Sequence, residues 1–258
     1  MGDLVGVGGV CVHSAQLRNL AVALEDRCRA AGFPRGEVFK WSPARNHWMR
    51  DSLTGTERID FINSILVASM DHEAIFLAAV NDSNAAFASS SSESHELDAL
   101  TLVLERFNTF LRSKQSTGVA IVAKPSGGNS EERGLLSHCV ELRESGTGFV
   151  KFERLALNVM VANFNHSRVL QAADLIISIT TTMVAGLDDY AKFSFPKVAA
   201  GFLESLYGQK GGTGLKIHPS KYTNLYHWLL GDDYRVTGNV GTPLPITTLP
   251  FAIDGMRY

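Results

Sequence analysis

Cysteine is scarce in this sequence of 258 residues. Cys11, Cys28 and Cys139 are too few and too scattered for a disulfide framework or a zinc-ligand pattern. Such scarcity suits a reducing compartment, and the expectation is a cytoplasmic protein. Long apolar runs are missing too: none reaches the roughly 20 residues that cross a bilayer. The opening LVGVGGVCV has no basic residue before it and too much glycine for a signal peptide. No membrane partner is therefore expected. Nor does one sign of charge dominate. With 24 basic and 26 acidic residues the formal net charge is −2, which excludes the positive coat of a non-specific DNA packager while leaving room for a local basic groove. The eight histidines never adopt the HExxH spacing of a zinc enzyme, and there is no GxSxG elbow for acyl transfer. No repeat of solenoid length is visible, and the one low-complexity piece, Ser89 to Ser94, reads as a solvent-exposed loop.

What the chain does contain is organised around His166 to Gly186, HSRVLQAADLIISITTTMVAG. Its apolar residues lie almost all the way round a helical wheel, which predicts a helix buried on most sides. Ser167 can cap its first turn, and Gly186 can end it. One stripe is polar: Gln171, Asp174, Ser178 and Thr181/Thr182 recur at steps of three and four. A carboxylate on that stripe needs a hydrogen-bond partner or a metal, since an unpaired buried charge is costly. Asp174 is thus open to a plain structural role and to a functional one.

The remaining elements alternate. Val5 to Val12 predicts a buried strand whose glycines allow close approach of another backbone or a bulge. Helices are predicted over Ala15 to Ala31 and Thr56 to Met70, along Leu97 to Leu111, and through Leu135 to Leu142. Strands are predicted at Ala74 to Val80, Val119 to Ala123 and Leu155 to Val161. Beyond Gly186 the expectations are a helix near Pro196 to Tyr207, a Gly-rich loop, a short helix in TNLYHWLLG, and an extended tail from Thr242 whose prolines bar it from a central strand. The fold class is α/β, a mixed sheet with helices on both faces. The division expected is a core over 1–186 and a helical and extended C-terminal segment, 187–258, packed on it.

One stretch departs from the even charge balance. Arg27, Arg29, Arg35, Lys40, Arg45 and Arg50 lie within 24 positions, with Trp41, His47 and Trp48 among them. Cationic groups neutralise phosphates while indoles stack on bases, the usual equipment for binding a single strand. A solvated basic loop pinned by core tryptophans would leave the same trace. Glu37 stands within the stretch, where an acid could hold a metal against phosphates.

Three pieces in order, GEVFKWS (Gly36 to Ser42), VAIVAKPSGG (Val119 to Gly128) and HSRVLQAADLI (His166 to Ile176), resemble the bacterial domain-of-unknown-function family numbered 3800, whose fold is ribonuclease-H-like. The third piece is the most specific, because that family carries a Ser-x-x-x-Gln-x-x-Asp helix there. GLKIHPSKYTNLYHWLLGD is similar to a tail found in some members. The resemblance implies metal-dependent nuclease ancestry, with Mg²⁺ or Mn²⁺ as cofactor. Glu37 and Asp174 are its implied catalytic and metal-binding acids. Lys40, Ser167 and Gln171 are its supporting groups, and Trp41, Arg45 and Trp48 join Lys40 as contacts for the strand. In clusters of this kind two ions about 3.5–4 Å apart activate water and stabilise the leaving oxygen.

The sequence departs from the family pattern in two places. Members open with a strand ending Asp-Glu-Ser or Asp-Asp-Ser, whereas Asp3 here precedes the first strand. Lys124 stands near the place of a central-strand Asp. Two acids are too few oxygen ligands for two hard cations. Either the true start lies upstream of Met1 or hydrolysis has been lost. The expected function is a ribonuclease-H-like protein acting on or binding nucleic acid. The alternatives are a catalytically inactive nucleic-acid-binding or protein-interaction module, and a non-nuclease α/β enzyme. Without a preceding partner, the Val5 to Val12 strand is expected to present an unpaired edge, a route to homo-oligomers.

Overall fold

The computed structural model describes residues 4–83, 92–219, 229–231, 234–237 and 240–243. Its central sheet grows from β1 (Leu4–Cys11) and β2 (Ile75–Asp82), antiparallel along their length with Leu4 opposite Asp82 and Cys11 opposite Ile75. Three more strands complete two small sheets: β3 (Ile121–Ala123) pairs in parallel with β4 (Met160–Ala162), and β5 (Leu215–His218) joins the far side of β2 in parallel. The central order is therefore β1-β2-β5. A separate hairpin joins β6 (Tyr234–Thr237) to β7 (Val240–Pro243), so the first residues of the proline-bearing tail do pair, outside the central sheet.

The helices are α1 (Ser14–Ala30), α2 (Trp48–Ser52), α3 (Thr56–Asp71), α4 (Ser92–Ser113), α5 (Asn129–Ser145), α6 (Arg168–Val184), α7 (Asp188–Ala191) and α8 (Phe195–Gly201). Helices cover both faces of the sheet, as expected of a mixed α/β fold. Consecutive strand residues point to opposite faces: Gly8 faces Ile177 of α6, and Gly9 faces Val103 of α4. The glycines of β1 are what let α6 come so close. A Cβ at Gly6 would stand 2.8 Å from Ile177 Cδ1, and one at Gly8 would stand 2.7 Å from Ile177 Cβ. Ser167 caps α6 as expected, its hydroxyl accepting from the Leu170 amide, and Gly186 takes the positive φ of 72° that follows the helix end.

Three expected elements are shorter than the sequence pattern suggests, the first being the strand expected at Val119 to Ala123, which is regular only from Ile121. The strand expected at Leu155 to Val161 is regular only from Met160. Before it, the Asn108 side chain of α4 donates to the Lys151 carbonyl and accepts from the Arg154 amide, bending the chain so that Phe152, Leu155 and Val159 enter one cluster. The helix expected from Pro196 to Tyr207 stops at Gly201. There the chain extends, and the Leu203 amide donates to the Phe76 carbonyl, so pairing with β2 prevails over helical propensity. The residues after 186 are integrated into the core. Ala191, Phe195, Val198, Phe202, Leu215 and Ile217 share one hydrophobic cluster with Leu20, Leu66, Phe76 and Ile176. Most of TNLYHWLLG and the tail from 244 lie outside the described residues.

The contact of β1 with α6 can be tested with two alanines. Gly8→Ala should destabilise the protein by about 1–3 kcal/mol through overpacking. Gly9→Ala, whose Cβ would have its nearest neighbour, Val103 Cγ1, at 3.8 Å, should be tolerated. Urea unfolding followed by circular dichroism would measure both, and equal midpoints would contradict this packing.

Candidate functional site

The loop 33–47 has almost no regular structure, so side chains from α6 must fix its path. Arg168 and Gln171 do so. Gln171 is wholly buried; its Oε1 accepts from the Phe39 amide at 3.3 Å, while its Nε2 donates to the carbonyls of Phe164 and Asn165. Arg168 donates from Nη1 to the Glu37 carbonyl at 2.7 Å and to Gln171 Oε1 at 2.9 Å. Its Nε pairs with Glu25 of α1 at 2.7 Å, and the guanidinium lies 5.8 Å from the centre of the Phe39 ring. Two side chains one helical turn apart thus tie α6 to α1 and to the loop.

The residues singled out in the sequence gather around the first half of α6, in two groups. Ser167 and Asp174 line a broad groove beside β1. Glu37, Lys40, Trp41, Arg45 and Trp48 sit on the loop and its continuation into α2. Glu37 faces His47, Oε1 to Nε2 at 3.3 Å. Since His47 Nδ1 accepts from the Met49 amide, the ring proton belongs on Nε2, which lies near the Glu37 carboxylate without hydrogen-bonding to it. Lys40 reaches over the Phe164 ring at 5.4 Å, and its charge acts on Asp174. Burial pushes the Asp174 carboxyl above its ordinary range, and Lys40 partly opposes that rise.

Both tryptophans are half-buried against the central core, and Trp48 tilts onto Phe33 with ring centres 4.6 Å apart. The part of this segment left facing solvent is cationic: Arg27, Arg29, Arg35, Lys40, Arg45 and Arg50 are all exposed. Lys124 pairs with Glu132 at 2.9 Å. At the end of β2, Asn81 is buried and donates to the His95 carbonyl, which gives the polar Asn81-Asp82-Ser83 corner a structural use. Among the described residues no group of three or more His, Cys, Asp or Glu side chains is placed to share a metal ion. Cys28 and Cys139 are buried, with their thiols pushed up to about 11, so neither is an activated nucleophile.

Arg168 is the residue that sequence reasoning passed over. A signal was there: it occupies the first turn of α6, where a cation opposes the helix dipole, and such a local cost points to a tertiary partner. Among the described residues no helix is long and apolar enough to cross a membrane. No family model, curated protein or solved structure matches the chain.

Two measurements follow from this geometry. Gln171→Met keeps the side-chain volume but strands the buried Phe39 amide, which should cost about 1–3 kcal/mol in urea unfolding; an unchanged midpoint would show the loop is held otherwise. Asp174 predicts a pH dependence. The folded state holds its proton more tightly than the unfolded chain, so stability falls as pH rises from 3.8 through the elevated folded value. Asp174→Asn should therefore be more stable than the wild type at neutral pH, the two converging in acid. A variant less stable at neutral pH would contradict the burial argument.

Proposed function

We infer that this protein is a ribonuclease-H-like module of metal-dependent nuclease ancestry that binds nucleic acid through the segment from Arg27 to Arg50. The observation that carries the reading is the exposure of all six cations of that segment, in a chain whose overall charge is slightly negative. Arg29 is paired with Asp26, and the other five, concentrated there, give a local positive field that attracts phosphates. The anchoring of the loop by Arg168 and Gln171 holds Arg35, Lys40 and Arg45 on a fixed backbone, which lowers the ordering cost of binding. The half-buried tryptophans support the loop from beneath, so affinity on this reading comes chiefly from phosphate neutralisation.

The same reading carries no hydrolytic step. Mg²⁺ or Mn²⁺ would have Asp174 and Glu37 as its acids, yet burial makes the charged form of Asp174 costlier and Glu37 faces His47. That donor set falls short of the six or so oxygen ligands each hard cation takes.

The test is binding of labelled single-stranded and duplex oligonucleotides, with nuclease turnover in Mn²⁺ measured alongside. Binding should weaken with salt, and replacing Arg35, Arg45 and Arg50 by alanine should lower affinity at least tenfold at low salt. On single strands it should also flatten the log–log salt slope by roughly 0.7 for each phosphate no longer neutralised. Absence of binding at low salt would remove the nucleic-acid reading. Brisk cleavage abolished by Asp174→Asn would restore the catalytic one.

A further inference from the structure

The cationic segment carries aromatic residues of its own, and the way they pack decides which form of nucleic acid it can hold. Between Arg27 and Arg50 stand Phe33, Phe39, Trp41 and Trp48. Phe39 is fully buried, and the other three lie mostly buried. A ring that receives a base must present one whole face to solvent, close to half its surface. None of these four does.

Their faces are taken by one another and by the core. Phe33 stacks on Phe61 of α3 with ring centres 4.7 Å apart, and Trp48 tilts onto Phe33 at 4.6 Å. Phe61 also meets Phe39 edge-on at 5.7 Å, and the Arg168 guanidinium lies 5.8 Å from the Phe39 ring. Trp41 packs on the main hydrophobic cluster. Beside the loop, Phe164 has the Lys40 ammonium over it at 5.4 Å. Turning any of these rings toward a ligand would open the packing that supports the loop.

What the segment turns outward is charge on a fixed backbone. Arg27, Arg35, Lys40, Arg45 and Arg50 are exposed, and Glu37, the only acid among them, faces His47. Gln171 and Arg168 hold the loop by its backbone at Phe39 and Glu37. Such a surface discriminates by charge density and by stiffness. A duplex carries one phosphate per roughly 1.7 Å of axis, about twice the density of a strand, and its log–log salt slope per neutralised phosphate is roughly 0.9 against 0.7. It is also stiff before it binds. A single strand must be ordered along the surface, a cost that stacking on aromatic rings ordinarily offsets.

We propose that this surface takes double-stranded nucleic acid, held by its phosphates with no base stacked on the protein. The inference rests on the nucleic-acid reading above and names its substrate class. It departs from the single-strand equipment that the spacing of cations and tryptophans suggests in the sequence, because indoles that close a core cannot also serve bases. DNA and RNA duplexes share the chemistry that such a surface recognises.

The experiment uses the full chain at low salt, with labelled DNA and RNA strands of mixed sequence and the duplexes made from them as separate arms. At least one duplex should bind fivefold or more tighter than its own single strands, and the tighter arm identifies the duplex. With Arg35→Ala, Arg45→Ala and Arg50→Ala combined, that preference should fall below twofold. In a Trp228→Phe protein, whose indole emission comes from Trp41 and Trp48 alone, saturating single strand should leave the emission unchanged. Should either variant fail to fold, the wild-type ratio of duplex to strand affinity decides alone. A ratio below fivefold in both arms would overturn the inference while leaving nucleic-acid binding intact. So would a preference that survives loss of the three arginines, or indole emission quenched by the strand. No binding of either form would bring down the nucleic-acid reading itself, and this inference with it.

Discussion

The contact between α6 and β1 is the constraint on which the arrangement rests. It exists because Gly6 and Gly8 have no side chains, so Ile177 can lie directly on the strand. With α6 fixed there, its first turn projects toward the loop 33–47, and Arg168 and Gln171 supply that loop with partners its own sequence lacks. The path of the loop 33–47 is thus determined by two glycines some twenty-five residues before it and by a helix that begins more than a hundred residues after it.

Both charged residues of α6, Arg168 and Asp174, lie in its first half. Its middle and C-terminal turns bury Leu175, Ile176, Ile179 and Val184 in the main cluster. Its first turn meets the loop 33–47, where polar side chains have backbone groups to pair with. Gln171 is satisfied there on both sides of its amide, as a buried polar group must be. Asp174 is less well provided, facing the groove with Lys40 as its charged neighbour, and its elevated pKa expresses that shortage.

Several elements were legible in the sequence because their causes are local. The apolar periodicity of α6, its Ser167 cap and its Gly186 stop are written in adjacent residues, and the helix runs where they place it. The same is true of α1, α3, α4, β1 and β2, and of a mixed sheet with helices on both faces. The exposed cations of residues 27–50 were visible as a run, since charge in a turn-rich segment rarely finds burial. Glu37 and Asp174 have different charged neighbours, Glu37 facing His47 and Asp174 feeling Lys40.

By itself, then, the sequence determined the existence and kind of the long elements, because helix and strand periods, caps and stops act over a few residues. Only the tertiary structure decided what their ends do. Leu203 leaves its helix because the Phe76 carbonyl is there to be paired, and the chain bends before β4 because Asn108 holds it. Only the structure could show Arg168 as the hinge pin of the loop, since its partners Glu25 and Glu37 are remote in sequence. An open outer edge on β1 was expected from the sequence; that Ile121 of β3 comes to line the same groove was not, because every residue carries the same N–H and C=O and their surroundings are fixed by where distant strands come to lie.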